Sequence, residues 1–402
     1  MNRKSAAPPM SAPAPARPTA GSSADDIRVM VVDDAIVVRT LVSRWVEETP
    51  GLKLVAALRN GREALERLDE SRPDVVVLDV DMPELDGIST LPRLLQRRRD
   101  LAVIMASALT RSDAEVTLKA LSLGAADHIP KPDAEGGIMT STSFQRELIE
   151  KIRALGARRH RRPLPPPYAR RSATAATRRM AGAVQRAGRW RAVEGEPPRY
   201  PLRPFSAATP RVLLVGASTG GPQALTKLMA RLDAVTDSAP VLITQHMPAM
   251  FTTILAANLA RASAKPVREA EDGEPVLAGQ VYLAPGGKHM RVERRNGTAV
   301  IALDDGPPIN FCKPAVDPLF SSAAEVWGAW CLAVILTGMG TDGTRGAIDV
   351  VEGGGSVIAQ DEATSVVWGM PRSAVEAGIC SAVLPVDQIA PMVVRLFLGA
   401  KP

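Results

Sequence analysis

Cysteine, histidine and aromatic residues are all scarce in this 402-residue chain, and each scarcity removes a class of explanation. The three cysteines, Cys312, Cys331 and Cys380, stand apart with no Cys-x-x-Cys spacing, which excludes a zinc ribbon or a disulfide framework. Cys331 and Cys380 lie among apolar residues, as core thiols do. Four histidines confine the search for a general base to a few positions. Aromatics form 3% of the chain, too few to interleave a basic segment in the manner of a single-strand binding surface. No apolar run approaches the ~20 residues that span a bilayer, and the N-terminus lacks the basic-then-apolar layout of a signal peptide. A cytoplasmic protein without membrane insertion is expected.

What is present is enough for two or three domains: 46% hydrophobic and 23% charged residues over this length. The net charge of +6 is uneven in origin. Arginines crowd into Arg158-Arg159-His160-Arg161-Arg162, Arg170-Arg171 and Arg178-Arg179, around Pro165-Pro166-Pro167, where apolar periodicity is missing. Residues 151–208 therefore read as a flexible spacer with an end-to-end distance of about 40 Å, and no nucleic-acid partner is expected. Residues 1–26 are Ala, Pro and Ser with little else, and read as a disordered extension.

Residues 27–150 alternate between strand and helix patterns. The apolar runs Ile27–Val32, Val75–Leu78 and Ala102–Ser107 predict buried strands, with a helix carrying Val38, Leu41, Val42, Trp45 and Val46 on one face and others from Gly61 and from about Asp113 to Leu123. Such alternation predicts a doubly wound parallel sheet, in which the C-terminal strand ends gather at one edge. Asp33, Asp34, Asp79, Ser107 and Lys131 would meet there. Clustered carboxylates repel unless a hard cation sits among them, which fits Mg²⁺; Lys131 and the Ser107 hydroxyl are suited to phosphoryl oxygens. The motifs Val32-Asp33-Asp34, Leu78-Asp79-Val80-Asp81-Met82-Pro83, Asp86-Gly87 and Lys131-Pro132 make this segment resemble the receiver domain of two-component signalling. The resemblance implies that Asp79 is the phosphoacceptor, that Asp33, Asp34, Asp79 and the Asp81 backbone hold Mg²⁺, that Lys131-Pro132 is a cis peptide, and that a sensor histidine kinase is the phosphodonor. His128 stands where such domains commonly carry a different aromatic three residues before the lysine.

Residues 209–402 alternate again, with strands expected at 211–216, 241–245, 280–284, 331–336 and 355–360. A helix at 222–232 would turn Ala224, Leu225, Leu228, Met229 and Leu232 inward. The first strand runs into Gly216-Ala217-Ser218-Thr219-Gly220, with Pro222 at the first turn of a helix. This fits a Gly-x-Ser-x-Gly elbow that presents Ser218 as a nucleophile; an anion cradle or a plain tight turn fits the same residues. His246 follows the second strand and Asp342 the fourth, so an open sheet would deliver all three to one crevice as a Ser-His-Asp triad. His289, after Gly286-Gly287, is the rival base, and Asp304, Asp305 and Asp349 are rival acids.

Gly216–Gly221, Gln245-His246-Met247-Pro248, Ala284–Met290, Pro314–Phe320, Leu336–Gly343 and Ala359-Gln360-Asp361 through Gly369-Met370-Pro371 resemble, in order, the catalytic domain of the chemotaxis receptor methylesterase (CheB) family. Ala315 stands where that family usually has serine. The resemblance implies an α/β architecture of two doubly wound parallel-sheet domains, a flavodoxin-like receiver and a Rossmann-like methylesterase domain, joined by a flexible linker. It also implies Ser218, His246 and Asp342 as the triad and the backbone near Thr219 and Met339 as the oxyanion region. The expected activity is hydrolysis of glutamate γ-methyl esters on methyl-accepting chemoreceptors, with glutamine deamidation, in chemotaxis or another chemosensory pathway. Hydrolysis would need no cofactor; phosphorylation would open a crevice that the receiver covers. Competing expectations are a regulator that only docks and a DNA-binding regulator.

Overall fold

The computed structural model describes residues 26–108, 110–131, 138–160, 200–263 and 265–400. The expected extension (1–26, save Asp26), most of the Arg-rich segment, and Pro132 with its peptide geometry lie outside the described residues.

The first half runs β1 (Ile27–Val32), α1 (Ile36–Glu48), β2 (Leu52–Leu58), α2 (Gly61–Ser71), β3 (Val75–Asp79), α3 (Gly87–Arg97), β4 (Ala102–Ser107), α4 (Arg111–Ser122), β5 (Asp127–Pro130) and α5 (Ile138–His160). Its strands pair in parallel in the order β2-β1-β3-β4-β5. β1 and β3 are apolar and buried because helices cover both faces of the sheet. Leu41 is the exception on the expected α1 stripe; it is exposed, while Val42, Trp45 and Val46 are buried.

The second half runs β6 (Val212–Ala217), α6 (Gly221–Met229), α7 (Asp233–Ser238), β7 (Val241–Gln245), α8 (Ala249–Ala262), β8 (Val267–Glu269), β9 (Val281–Leu283), β10 (His289–Arg295), β11 (Thr298–Asp304), α9 (Val316–Trp327), β12 (Cys331–Ile335), α10 (Thr344–Glu352), β13 (Ser356–Gln360), α11 (Met370–Glu376), β14 (Ala382–Leu384) and α12 (Val386–Phe397). Seven strands form a parallel sheet in the order β14-β13-β12-β6-β7-β9-β8. β10 and β11 stand outside it as an antiparallel hairpin. The fold is therefore α/β with two parallel sheets flanked by helices. The expected inward stripe holds: Leu225, Leu228, Met229 and Leu232 are fully buried and Ala224 nearly so.

Two boundaries differ from the sequence reading. α5 continues ten residues past position 150, because Ile152 and Leu155 still pack into the first sheet's core and Lys151 is buried beneath it. At the other side, the Tyr200 ring lies tilted against Trp368 with centroids 6.0 Å apart and Arg203 N–H bonds to Cys380 O, so packing onto the second sheet begins before position 209.

The halves touch. α4 packs on α6 and α8. Val366, Val367 and Met339 from the second half join an apolar cluster built mainly of first-sheet residues.

Candidate active site

At the C-terminal edge of the first sheet, carboxylate oxygens of Asp33, Asp34 and Asp79 lie within 4.8 Å of one another. Lys131 Nζ sits 2.8 Å from both Asp33 and Asp79. Burial, with Asp33 and Asp34 adding to it, pushes the Asp79 carboxyl up to about 6 despite the opposing lysine. A crowded anionic pocket of oxygen donors fits a hard divalent cation. Asp81, two residues on, has its carboxyl raised by burial and by Asp113. The Ser107 hydroxyl accepts from Thr117 Oγ1 at 2.9 Å, while the Ser107 carbonyl accepts from Lys131 N–H. His128 is buried and stacks on Phe251 of α8 with ring centroids 4.7 Å apart, and among the described residues neither of its ring nitrogens has a hydrogen-bond partner. Its Nδ1 is 3.7 Å from Asp127 Oδ1, too far for a hydrogen bond.

In the second sheet, Ala217 pairs with Gln245 across β6 and β7. Ser218 and His246 are thus the next residues out of two neighbouring strands, about 4.8 Å apart. Gly220, at φ 76°, makes the turn, and a side chain there would also run into Val366 at 2.5 Å. Gly338 is held glycine from the other side: a Cβ there would meet Met370 Sδ at 2.3 Å and Ser218 Cβ at 2.8 Å. The Gly338-Met339-Gly340 loop consequently lies directly against Ser218.

His246 Nε2 is 2.6 Å from Asp342 Oδ2. Asp342 is buried and accepts from Val316 N–H at 2.6 Å and Asp317 N–H at 3.2 Å, at the first turn of α9. Burial opposes its charge, but these donors and His246 outweigh that and hold the carboxyl down at about 2. Neighbouring Asp317 moves the other way, to about 6, through burial and repulsion by Asp342. The histidine and aspartate are therefore brought together. Ser218 is half-buried beside them, and among the described residues no hydrogen bond joins its Oγ to His246. The second ring nitrogen, Nδ1, instead faces Cys312 Sγ at 3.3 Å.

The rival base has another occupation. His289 is buried, its Nδ1 accepts from Ala315 N–H at 3.1 Å and its Nε2 is 3.0 Å from Pro307 O, a pattern that fastens the loop before α9. Asp304 and Asp305 are exposed, and Asp349 accepts from Ser321. Cys312, Asn310 and Asp317 were not singled out from sequence as site residues. The Pro314–Phe320 segment marked their neighbourhood, but nothing in a lone cysteine or asparagine signals which side chain it will meet.

Fold and site together define a two-domain α/β protein with a receiver-type carboxylate cluster in one half and a Ser/His/Asp grouping in the other, the halves packed together through α4, α6 and α8. The chain belongs to the CheB methylesterase family, carboxylic ester hydrolases carried here behind a response-regulator receiver. The CheB methylesterase family model matches residues 213–393, and the response regulator receiver domain model residues 29–142. A protein-glutamate methylesterase/protein-glutamine glutaminase of Rhodopseudomonas palustris strain BisB5 is 55% identical over 383 residues, 93% of this chain and 95% of that protein. The protein of the same name, "of group 2 operon", from Bradyrhizobium diazoefficiens is 56% identical over 385 residues, 95% of this chain and 97% of its own. The crystal structure of the Thermotoga maritima CheB methylesterase catalytic domain is 43% identical and covers 47% of this chain and 100% of that one, with a TM-score of 0.46. Among the described residues, no helix is long and apolar enough to cross a membrane.

Proposed function

We propose that this chain hydrolyses glutamate γ-methyl esters on methyl-accepting chemoreceptors and deamidates receptor glutamines, under control of phosphorylation at Asp79. The observation that carries the reading is the 2.6 Å His246–Asp342 bond beside the Ser218 elbow, in a member of an esterase family.

In this reading Ser218 Oγ attacks the γ-carbonyl carbon and His246 takes its proton. Because Nε2 is committed to Asp342, the accepting nitrogen is Nδ1. Asp342 orients the ring and stabilises the imidazolium. Backbone N–H groups near Thr219 and Met339 stabilise the oxyanion. Methanol leaves with the proton from His246; water then attacks the acyl-enzyme by the same route and releases the glutamate carboxylate. A glutamine side chain follows the same path, with ammonia leaving.

The receiver supplies control. Asp79 accepts the phosphoryl group from a sensor histidine kinase, Lys131 and the Ser107 hydroxyl contact its oxygens, and Asp33, Asp34, Asp79 and the Asp81 backbone would hold Mg²⁺. That ion would offset the negative charge gathered there. In the structure the first half covers the elbow: Thr219 Oγ1 donates to Asp127 Oδ2 at 2.6 Å, and Gln223 Nε2 donates to the carbonyls of Leu121 and Ala125. Phosphorylation loosens this packing. We assign the receiver to about 27–150 and catalysis to about 209–402, with flanking residues packed on each, and place the protein in the cytoplasm. A second reading, the same chemistry in a chemosensory pathway other than motility, rests on relatives named for a group 2 operon.

The test is methanol release from methylated receptor with and without acetyl phosphate. Stimulated release that disappears in Ser218→Ala is expected; release untouched by that substitution would contradict the assignment.

A further inference from the structure

The loop between β11 and α9 contains a turn that touches the catalytic pair and the receiver at once. Ile309 and Cys312 exchange backbone hydrogen bonds of 3.1 and 2.9 Å. The two residues between them, Asn310 and Phe311, have φ of 51° and 64°. Asparagine tolerates that left-handed region, but phenylalanine there is strained, and such strain persists only where surrounding contacts impose it.

Those contacts are specific. Asn310 Nδ2 lies 3.3 Å from both Asp342 Oδ1 and Asp317 Oδ2. Phe311 is 77% exposed, yet the Arg146 guanidinium of α5 sits 3.7 Å over its ring. Cys312 Sγ is 3.3 Å from His246 Nδ1, the nitrogen that Ser218 needs. The sulfur therefore occupies the serine hydroxyl's place on the base.

The electrostatics agree with this geometry. Burial works against a charged His246, but Cys312 and Asp342 outweigh it and push the imidazole up to about 10. An upward shift favours the protonated ring, which cannot accept a proton from serine.

We propose that Cys312 is a positioning residue that holds His246 in a non-catalytic setting while the receiver is docked, with Arg146 pinning the turn through Phe311, and that activation consists in part of Sγ giving up Nδ1 to Ser218. The proposal rests on Ser218 and His246 being the hydrolytic pair.

It is tested on the full chain in two ways, one of which does not require esterase activity. With the ring 3.3 Å from Sγ, His246 is placed to assist attack by the sulfur on an electrophile. At pH 7, iodoacetamide should alkylate Cys312 at least tenfold faster in the wild type than in His246→Ala, read by peptide mass spectrometry. Cys331 and Cys380, buried and with thiols pushed up to about 12, serve as unreactive internal references. Equal Cys312 rates in the two proteins would overturn the pairing. In the second arm, Cys312→Ala and Cys312→Ser should each move the acid limb of kcat/KM at least one pH unit lower, because removing the sulfur lets the imidazole lose its proton sooner. Arg146→Ala, a surface change that keeps the fold, should raise release without phosphodonor severalfold. An unmoved acid limb, or unstimulated release unchanged in Arg146→Ala, overturns the proposal. A wild type that alkylates as expected but releases no methanol would instead condemn the esterase reading and leave the pairing standing.

Discussion

Thr219, the residue after Ser218, donates a hydrogen bond from its hydroxyl to Asp127 Oδ2 of the first sheet at 2.6 Å. The same carboxylate is 3.0 Å from Lys151 Nζ, and its other oxygen accepts from the His128 backbone N–H. Burial disfavours the Asp127 charge, but Lys151, His128 and Thr219 outweigh it and hold this carboxyl well below the usual carboxylate range. One buried carboxylate thus ties the receiver to the residue beside Ser218.

Removing that tie should release the catalytic half. A hydrogen bond to a charged group contributes about 1.5–3 kcal/mol, so Thr219→Val, which leaves the backbone N–H in place, should raise methanol release without phosphodonor by on the order of tenfold. Stimulation by acetyl phosphate should shrink in proportion. The pH dependence follows from the sign of the shift: a depressed carboxyl contributes stability above its unfolded value near 3.8 and loses it as pH falls below that. Acid unfolding of Thr219→Val should accordingly begin at higher pH than in the wild type, followed by circular dichroism.

Asp342 should prove as necessary as the histidine it orients. Asp342→Asn keeps the size but replaces an acceptor-only group with one that donates, favouring the wrong imidazole tautomer. A loss of about 10³–10⁴ in kcat is expected, with KM little changed, measured on methylated receptor.

Gly338→Ala tests how closely the loop fits the elbow. The added methyl would lie 2.8 Å from Ser218 Cβ and 2.3 Å from Met370 Sδ, so the contact between this loop and Ser218 must shift. A displacement of about 1 Å costs on the order of 10² in rate. The expected signature is a fall in kcat with an intact phosphorylation response, read by comparing Asp79 phosphorylation with methanol release.

The acidic cluster makes a separate prediction. Because the Asp79 carboxyl is raised to about 6, the folded chain binds a proton there that the unfolded chain has lost, and stability declines as pH rises from about 3.8 toward 6. Mg²⁺ should raise Tm more at pH 8 than at pH 5 in the wild type, and the difference should vanish in Asp79→Asn. Differential scanning fluorimetry at the two pH values checks this; equal Mg²⁺ effects would count against the cluster as the cation site.

Much of this was legible in the sequence because buried parallel strands are read as uninterrupted aliphatic runs: Val212–Val215, Val241–Ile243 and Leu332–Ile335 announced three neighbouring strands of the second sheet. The placement of Ser218 and His246 at strand ends was legible for the same reason, since each follows its run directly and neighbouring parallel strands share an edge. The three-residue strands β8 and β14 were not seen; β9 is as short, but it lies in the apolar run Val281-Tyr282-Leu283-Ala284, whereas β8 contains Arg268 and Glu269. The β10–β11 hairpin was hidden because Arg291, Glu293, Arg294 and Arg295 read as surface rather than strand. The length of α5 was masked by its arginines, although Ile152 and Leu155 carry its apolar face. Least legible were the contacts joining residues far apart: Cys312 on His246, Arg146 on Phe311 and Asp127 on Thr219 depend on loops and on packing between halves, to which local patterning is blind.

The central claim is that Ser218, His246 and Asp342 hydrolyse a receptor methyl ester. The most direct measurement is methanol release from radiomethylated receptor by the acetyl phosphate-treated chain, compared with Ser218→Ala and His246→Ala proteins shown by circular dichroism to be folded. The account predicts rapid release by the wild type and a loss of at least 10³-fold in each variant. Release by folded Ser218→Ala at a rate near that of the wild type would contradict it.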